Sequence, residues 1–359
     1  MQPTPVDLAL FAIVLVVLAL PFKVKLVEEN LEAFLFVMGS LAVTVTSKWN
    51  FDLIKLAAEE PVVKGIVPAV LAAGLLFHFG KAPFRKTMHG ILKAVPLSVL
   101  LFTVVVVLGL LSSVITAIIS ALFLVEIVNL MPLERKDKIN LVIIACFSIG
   151  LGAVLTPLGE PLSTIAVVKL AGAPYHASFW YLFSQLGVLI IVGVTACGLF
   201  AVFFVGKKAS VGGSKMEMVE DEGGVKEVLV RTVKVYAFVA ALFLLGAGME
   251  VIINKYFIQL PATVLFWLNM VSAILDNATL TAAEIAPSMS QLQINASLMG
   301  LLISGGMLIP GNIPNIISAG KLGISSGEWA KLGVPMGLVL NAVYFVVIFV
   351  FGFSPNLGL

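Results

Sequence analysis

Long, unbroken apolar stretches follow one another through almost the whole chain. About 20 such residues in a row is the length that crosses a bilayer as a helix. Stretches of that kind lie near 5–21, 31–47, 61–79, 140–171, 178–205, 229–253, 293–322 and 328–351. Composition closes the water-soluble alternative. The 359 residues are 60% hydrophobic and 12% charged, where a soluble domain has roughly 25% charged residues. A transmembrane barrel would show segments of about ten residues alternating apolar and polar. Continuous runs instead require each segment to satisfy its own backbone groups as a helix. The expected fold class is all-α, a polytopic membrane protein with the lipid bilayer as its principal partner.

Two apolar stretches, 94–132 and 259–289, do not fit the single-span template. Each is too long for one span, and neither contains the polar loop that two full spans need. A re-entrant hairpin of two half-length helices fits both. Charge placement agrees, because basic loops mark the cytoplasmic side. Lys23 and Lys25 follow the first span, and Lys81, Arg85, Lys86 and Lys93 follow the third. Arg135, Lys136 and Lys138 then follow the first long stretch, so both its flanks are basic and it enters and leaves on one side. The loop 171–177 is uncharged, Lys207, Lys208 and Lys215 are again cytoplasmic, and 259–289 suits a hairpin entered from outside. Lys321 and Lys331 return the chain to the inside, which leaves both termini outside. Lys48 and Lys55 depart from the rule, offset by Asp52, Glu59 and Glu60, and 49–60 reads as a short helix on the surface. The expected division is an N-terminal scaffold with that surface helix over 1–60, a first repeat over 61–205, a cytoplasmic linker over 206–228 and a second repeat over 229–359.

The two halves echo one another. GLGAVLTPLGEPLS at 150–163, shifted by 153 positions, meets ISGGMLIPGNIPNI at 303–316, so that Gly152 falls on Gly305, Leu155 on Leu308, Pro157 on Pro310 and Pro161 on Pro314. Each motif follows a hairpin candidate, and on the charge-based topology the two cross in opposite senses. Inverted-topology repeats meeting at discontinuous helices are a transporter architecture. Proline removes an amide donor and clashes with the preceding turn, at about 3 kcal/mol inside a helix. Two prolines four apart, with Gly159 or Gly311 between them, predict an unwound break in each span. Carbonyls freed at membrane depth persist only where protein or a water-lined site satisfies them.

The acids inside these segments carry the chemistry. Glu160 sits in the first break, after Thr156, and Asp276 sits mid-way along 259–289 among Ser272, Asn277 and Thr279. An acid at the bilayer centre costs roughly 2.5–3.5 kcal/mol on insertion scales, so it wants a proton, a cation or an ion-pair partner. No Lys or Arg flanks either acid closely in sequence. Carboxyl, hydroxyl, amide and freed carbonyl oxygens make a hard-oxygen set suited to Na+ or H+ rather than to a soft metal. Asn312 and Asn315 in the second break are further candidate ligands, as are Ser113 and Thr116 in the first hairpin, where the hydroxyls could equally bond back to helical carbonyls. Glu126 and Glu284 follow the hairpin tips as second-rank proton sites, with Asn129 beside Glu126. The net charge of +2 gives no nucleic-acid footprint. Cys146 and Cys197 lie inside apolar stretches and His78, His89 and His176 are scattered, so no disulfide framework or metal cluster is indicated and no enzyme motif is present. Residues 5–20 lack a basic flank and a small-residue cleavage site and read as a retained span.

With SAILDNATLT (272–281), GLGAVLTPLGEPLST (150–164) and GGMLIPGNIPNIIS (305–318), the chain resembles the ion-transporter superfamily of sodium/proton antiporters, arsenite permeases and sodium-coupled dicarboxylate carriers. It is most similar to that group's branch of putative cation transporters. The resemblance implies paired re-entrant hairpins, broken helices at 156–161 and 310–315, a homodimer, elevator-type alternating access and a prokaryotic inner-membrane location. It also implies an ion-binding tip at Asp276 and Asn277. The first hairpin lacks the Asp-Asn pair of the antiporters, which shifts the acidic role of that half to Glu160. The expected function is therefore secondary cation transport, a sodium/proton antiport at Glu160 and Asp276 without any cofactor. A cation-coupled carrier of a small anion or oxyanion is the alternative.

Overall fold

The computed structural model describes residues 3–63, 67, 68, 71, 72, 75, 95–206, 225–252, 255, 256, 259–274 and 277–353. Among these the regular structure is entirely helical. Asp276, most of the third apolar stretch, the basic cluster from Lys81 to Lys93 and linker residues 207–224 lie outside the described residues. Four helical segments are long and apolar enough to cross a membrane: Leu97–Ile115, Tyr181–Gly206, Val228–Ile252 and Ser326–Val350. The chain is an all-α membrane protein.

The N-terminal part comprises α1 (Pro5–Lys23), α2 (Lys25–Glu29), α3 (Leu31–Val45) and α4 (Phe51–Val63). Of these, α1, α3 and α4 pack on the long α10 (Val225–Ile252), α3 most extensively, and α2 joins α1 to α3. Small residues allow that crossing. A side chain on Gly39 would come within 2.9 Å of the Ala241 carbonyl oxygen on α10, and one on Gly248 would come within 2.9 Å of the Val43 amide on α3. In lipid, where apolar area alone drives no helix association, such close backbone approach is what holds helices together. The helix expected on the surface at 49–60 does form, but α4 runs on to Val63 across the expected domain boundary. It lies along α10, with Leu53 and Ala57 packed on Leu244 and the Tyr236 hydroxyl donating to the Ala58 carbonyl. Lys48 is neutralised by Glu250 rather than by the acids near it in sequence.

The larger body is built around one continuous core. Its first half holds α5 (Leu97–Ile115), α6 (Ala117–Leu130), α7 (Arg135–Ala153), α8 (Pro161–Lys169) and α9 (Tyr181–Ala201). Its second half holds α11 (Ala262–Leu268) with a 3-10 turn over Asn269–Ala273, then α12 (Asn277–Glu284), α13 (Gln291–Gly305), α14 (Ile313–Leu322) and α15 (Ser326–Phe345). Both closing helices end in a five-residue π turn, Val202–Gly206 and Val346–Val350. Helix starts are coded locally. Ser290 with Gln293 and Ser325 with Glu328 form reciprocal capping boxes at α13 and α15. Gly323 ends α14 in the left-handed conformation that favours glycine.

Both long stretches are divided into separate helices, though unequally. The first turns at Thr116, whose φ of 76° separates α5 from α6. With 19 residues, α5 is about 28 Å long at 1.5 Å per residue and is a full span rather than the half-length arm expected. The second stretch keeps short arms, seven residues in α11 and eight in α12.

Candidate functional site

Both broken spans are unwound where the proline motifs lie, and their breaks are built alike. α7 stops at Ala153 and α8 starts at Pro161; α13 stops at Gly305 and α14 starts at Ile313. In the first break a Cβ on Gly159 would collide with the Ala153 carbonyl. In the second, a Cβ on Gly311 would lie 2.6 Å from the Gly305 carbonyl oxygen. The returning loop thus crosses the helix end in the same way twice, and only glycine permits it. The residue after each glycine is fully extended and precedes the first turn of the new helix: Glu160 at φ −156°, ψ 163° and Asn312 at φ −153°, ψ 147°. Glu160 and Asn312 hold equivalent places 152 positions apart, so the structural register differs by one from the proline alignment. The prolines divide their work accordingly. Pro157 and Pro310 lie within the breaks, whereas Pro161 and Pro314 fall in the first turn of the new helices, where a missing N–H costs nothing.

Each break is fastened to the bend of its own half. The Thr156 hydroxyl donates to the Ser113 carbonyl at 2.5 Å, and the Ala117 amide donates to the Gly159 carbonyl at 2.8 Å. In the second half Gly311 lies so close to the 3-10 turn that a Cβ there would be 2.6 Å from the Ser272 carbonyl oxygen. The helices leaving the breaks then cross to the opposite half. α14 packs on α6 through Ile313 and Ile317 against Ile118 and Leu122, and α8 packs on α12. Asn312 reaches α7, where its Nδ2 stands 2.6 Å from the position a Cβ on Gly150 would take. The Cys146 thiol, one turn earlier on α7, donates to the Pro314 carbonyl at 3.6 Å. Bends and breaks therefore converge on one buried region.

Within that region the candidate residues differ in how they are engaged. Glu160 is 5% exposed and Asn312 2%. Asn315, fully buried, gives both amide protons to carbonyls freed by the break, Gly305 at 2.8 Å and Leu308 at 2.9 Å, while its Oδ1 has no hydrogen-bond partner among the described residues. The first break uses hydroxyls for the same purpose: Thr164 donates to the Pro157 carbonyl at 2.5 Å and Ser163 to the Glu160 carbonyl at 2.7 Å. Ser113 bonds back to Leu110 at 2.7 Å, the helical alternative weighed for these hydroxyls. Ser112 donates to both Gly109 and Ile149, and Ser272 donates to Leu301 at 3.2 Å, so each bend is stitched to the helix that precedes its break. Thr116, half-buried, caps α6 by accepting from the Ile119 amide at 3.4 Å. Asn277 opens α12 with a buried side chain whose Nδ2 has no hydrogen-bond partner among the described residues. The Thr279 side chain, like Asp276, lies outside the described residues.

Glu126 and Glu284 are both buried but sit in different company. Lys138, only 1% exposed, donates to the Asn129 carbonyl one turn beyond Glu126 on α6, which puts a cation in that neighbourhood. Glu284 faces Asn269, a residue passed over by the sequence reading. Its signal was present: an amide side chain inside an apolar stretch is costly to bury unless something meets it. Gly150 was also passed over, since nothing in sequence marks it as the seat of a residue 162 positions away. Among the described residues no cluster of three His, Cys, Asp or Glu that could hold a metal ion is found.

The family model for a protein of unknown function (DUF1646) matches residues 7–351, and the chain belongs to that family. No curated protein matches the sequence.

Proposed function

We propose that this member of the family is a secondary active cation transporter, and specifically a sodium/proton antiporter. The observation that carries the reading is the pair of like-built breaks, each fastened to a bend in its own half and sending its new helix across to the other. This crossed arrangement supports two repeats of inverted topology with re-entrant hairpins. Contacts at the rim agree with the sidedness read from charge. Arg135 pairs with Glu328, ends expected inside. Tyr181 bonds Gln291 at 2.9 Å, and Lys255 pairs with Asp7, ends expected outside.

Chemically, an extended residue before a helix start leaves a carboxylate or amide beside freed backbone groups, a setting in which discontinuous helices bind ions. Glu160 supplies charge from the first break, Asn312 and Asn315 supply oxygens from the second, Asn277 adds an amide at the start of α12, and Asp276 joins the set on its sequence position alone. Such hard-oxygen groups suit Na+. Protons compete for the same acids, because protonation removes the charge that holds the ion, and exchange follows when either loaded form changes the side it faces.

The test is sodium-driven proton flux in proteoliposomes. Glu160→Gln and Asp276→Asn should each reduce it to the protein-free background. Wild-type flux in both variants would remove the assignment. Flux that instead requires an added dicarboxylate or arsenite would select the cation-coupled anion carrier.

A further inference from the structure

Outside the two breaks, Glu284 is a buried acid that nothing among the described residues neutralises. Glu284 ends α12 at 2% exposure, and neither carboxyl oxygen has a hydrogen-bond partner among the described residues. The side chain facing it is Asn269, fully buried, whose Nδ2 donates to the Ser297 carbonyl at 3.1 Å and whose Oδ1 is itself unpartnered. The Ser297 hydroxyl is also buried without a partner. The carboxyl oxygens and the Asn269 Oδ1 are thus buried with no hydrogen-bond donor among the described residues.

Charged groups on the elements packed against α12 do not resolve this. On α10 the described charged side chains are Lys226, Lys234 and Glu250. Of these Lys234 pairs with Glu32 and Glu250 with Lys48. Tyr236, also on α10, gives its hydroxyl proton to Ala58. On α8 the titratable groups are Glu160 and Lys169, and α13 carries none. None of them forms an ion pair or hydrogen bond with Glu284 among the described residues. An ionised carboxylate left so would carry a desolvation cost that a single bound proton removes, and that proton would give the cluster a donor toward Asn269.

We propose that Glu284 is a further proton-binding site of this protein, beside the acids of the breaks, and that its proton is one of those exchanged. The assignment of exchange rests on the antiporter reading above; the assignment of the bound proton does not. The two places are linked through one short segment. Asn269 and Ser272 lie one turn apart in the same 3-10 segment, Ser272 bonds Leu301 on α13, and Gly311 of the second break packs on the Ser272 carbonyl.

Infrared difference spectra of the purified full-length protein in lipid films, taken between neutral and alkaline pH, read the proton directly. The carbonyl stretch of a neutral carboxylic acid should be present at neutral pH, lost in Glu284→Gln and displaced in Glu284→Asp. Spectra of either variant identical to wild type would overturn the proposal, whether or not the protein transports sodium. In proteoliposomes the pH profile of sodium-driven flux should shift in Glu284→Asp. An unshifted profile would leave Glu284 uncoupled from transport and overturn its role in exchange, while absent flux in wild type would count against the antiporter reading alone.

Discussion

At the first break the residue that opens the new helix is a glutamate; at the second it is an asparagine in the same extended conformation. The surrounding turn differs little, since a glycine crosses the end of the preceding helix in both. The means of satisfying freed carbonyls differ more. Hydroxyls of Ser163 and Thr164 do so in the first break, and the Asn315 amide does so in the second. Backbone geometry is thus duplicated while charge is not. A frame with these glycines tolerates different side chains at its opening position, so the polarity of the two halves could diverge without disturbing the fold.

That comparison can be broken experimentally. The largest effect is expected from Gly159→Ala, whose new methyl meets the Ala153 backbone rather than a yielding side chain. Overpacking of this kind costs about 1–3 kcal/mol or more, and thermal unfolding in detergent should show a greater loss than for Gly311→Ala, where the nearest backbone oxygens stand 2.6 Å away. Equal losses would mean that the crossing at Gly159 is no tighter than the one at Gly311 in solution. Next comes Asn315→Leu, which takes the donor from the buried Gly305 carbonyl, at about 1–3 kcal/mol, and leaves the Leu308 carbonyl with the Gly311 amide alone. Thr156→Val, which removes one hydroxyl donor, should cost about 1 kcal/mol, and the order of the two melting temperatures checks this. Gly150→Ala presses only on the movable amide of Asn312. It should leave the melting temperature nearly unchanged while weakening sodium-dependent proton release from the purified protein, and unaltered release would detach Asn312 from the ion.

The smallest effect lies far from the breaks. Lys255 holds its proton above the ordinary lysine range, chiefly through its hydrogen bond to Asp7. Its contribution to stability is complete below the ordinary lysine pKa and is lost as pH rises through the raised value. A melting-temperature profile of Lys255→Met should therefore run slightly below wild type at neutral pH and converge with it in strong alkali. A gap that widened with pH would contradict the pairing.

Much of the fold was legible before any coordinates. Uninterrupted apolar runs required helices, and the proline and glycine pairs marked both breaks to within a few residues. That each long stretch holds more than one helix was readable from length alone, although nothing in 94–132 told that α5 would reach full spanning length while α11 and α12 would stay short. The register between the breaks was misjudged by one position because proline identity was matched, whereas the structure matches the glycine that must cross a carbonyl. Composition could not distinguish Glu126 from Glu284 either, since both are lone acids among apolar neighbours.

Sequence alone determined that this chain is helical, belongs in a bilayer and is interrupted twice, because those properties follow from local chemistry: the cost of an exposed amide in lipid and of a proline inside a helix. Only the tertiary structure decided that Asn312 meets Gly150, that α14 crosses to α6, and that Glu284 faces Asn269 while Lys138 stands near Glu126. Those pairings depend on which small residues let two backbones approach. Such a condition spans distant parts of the chain and leaves no periodic trace along it.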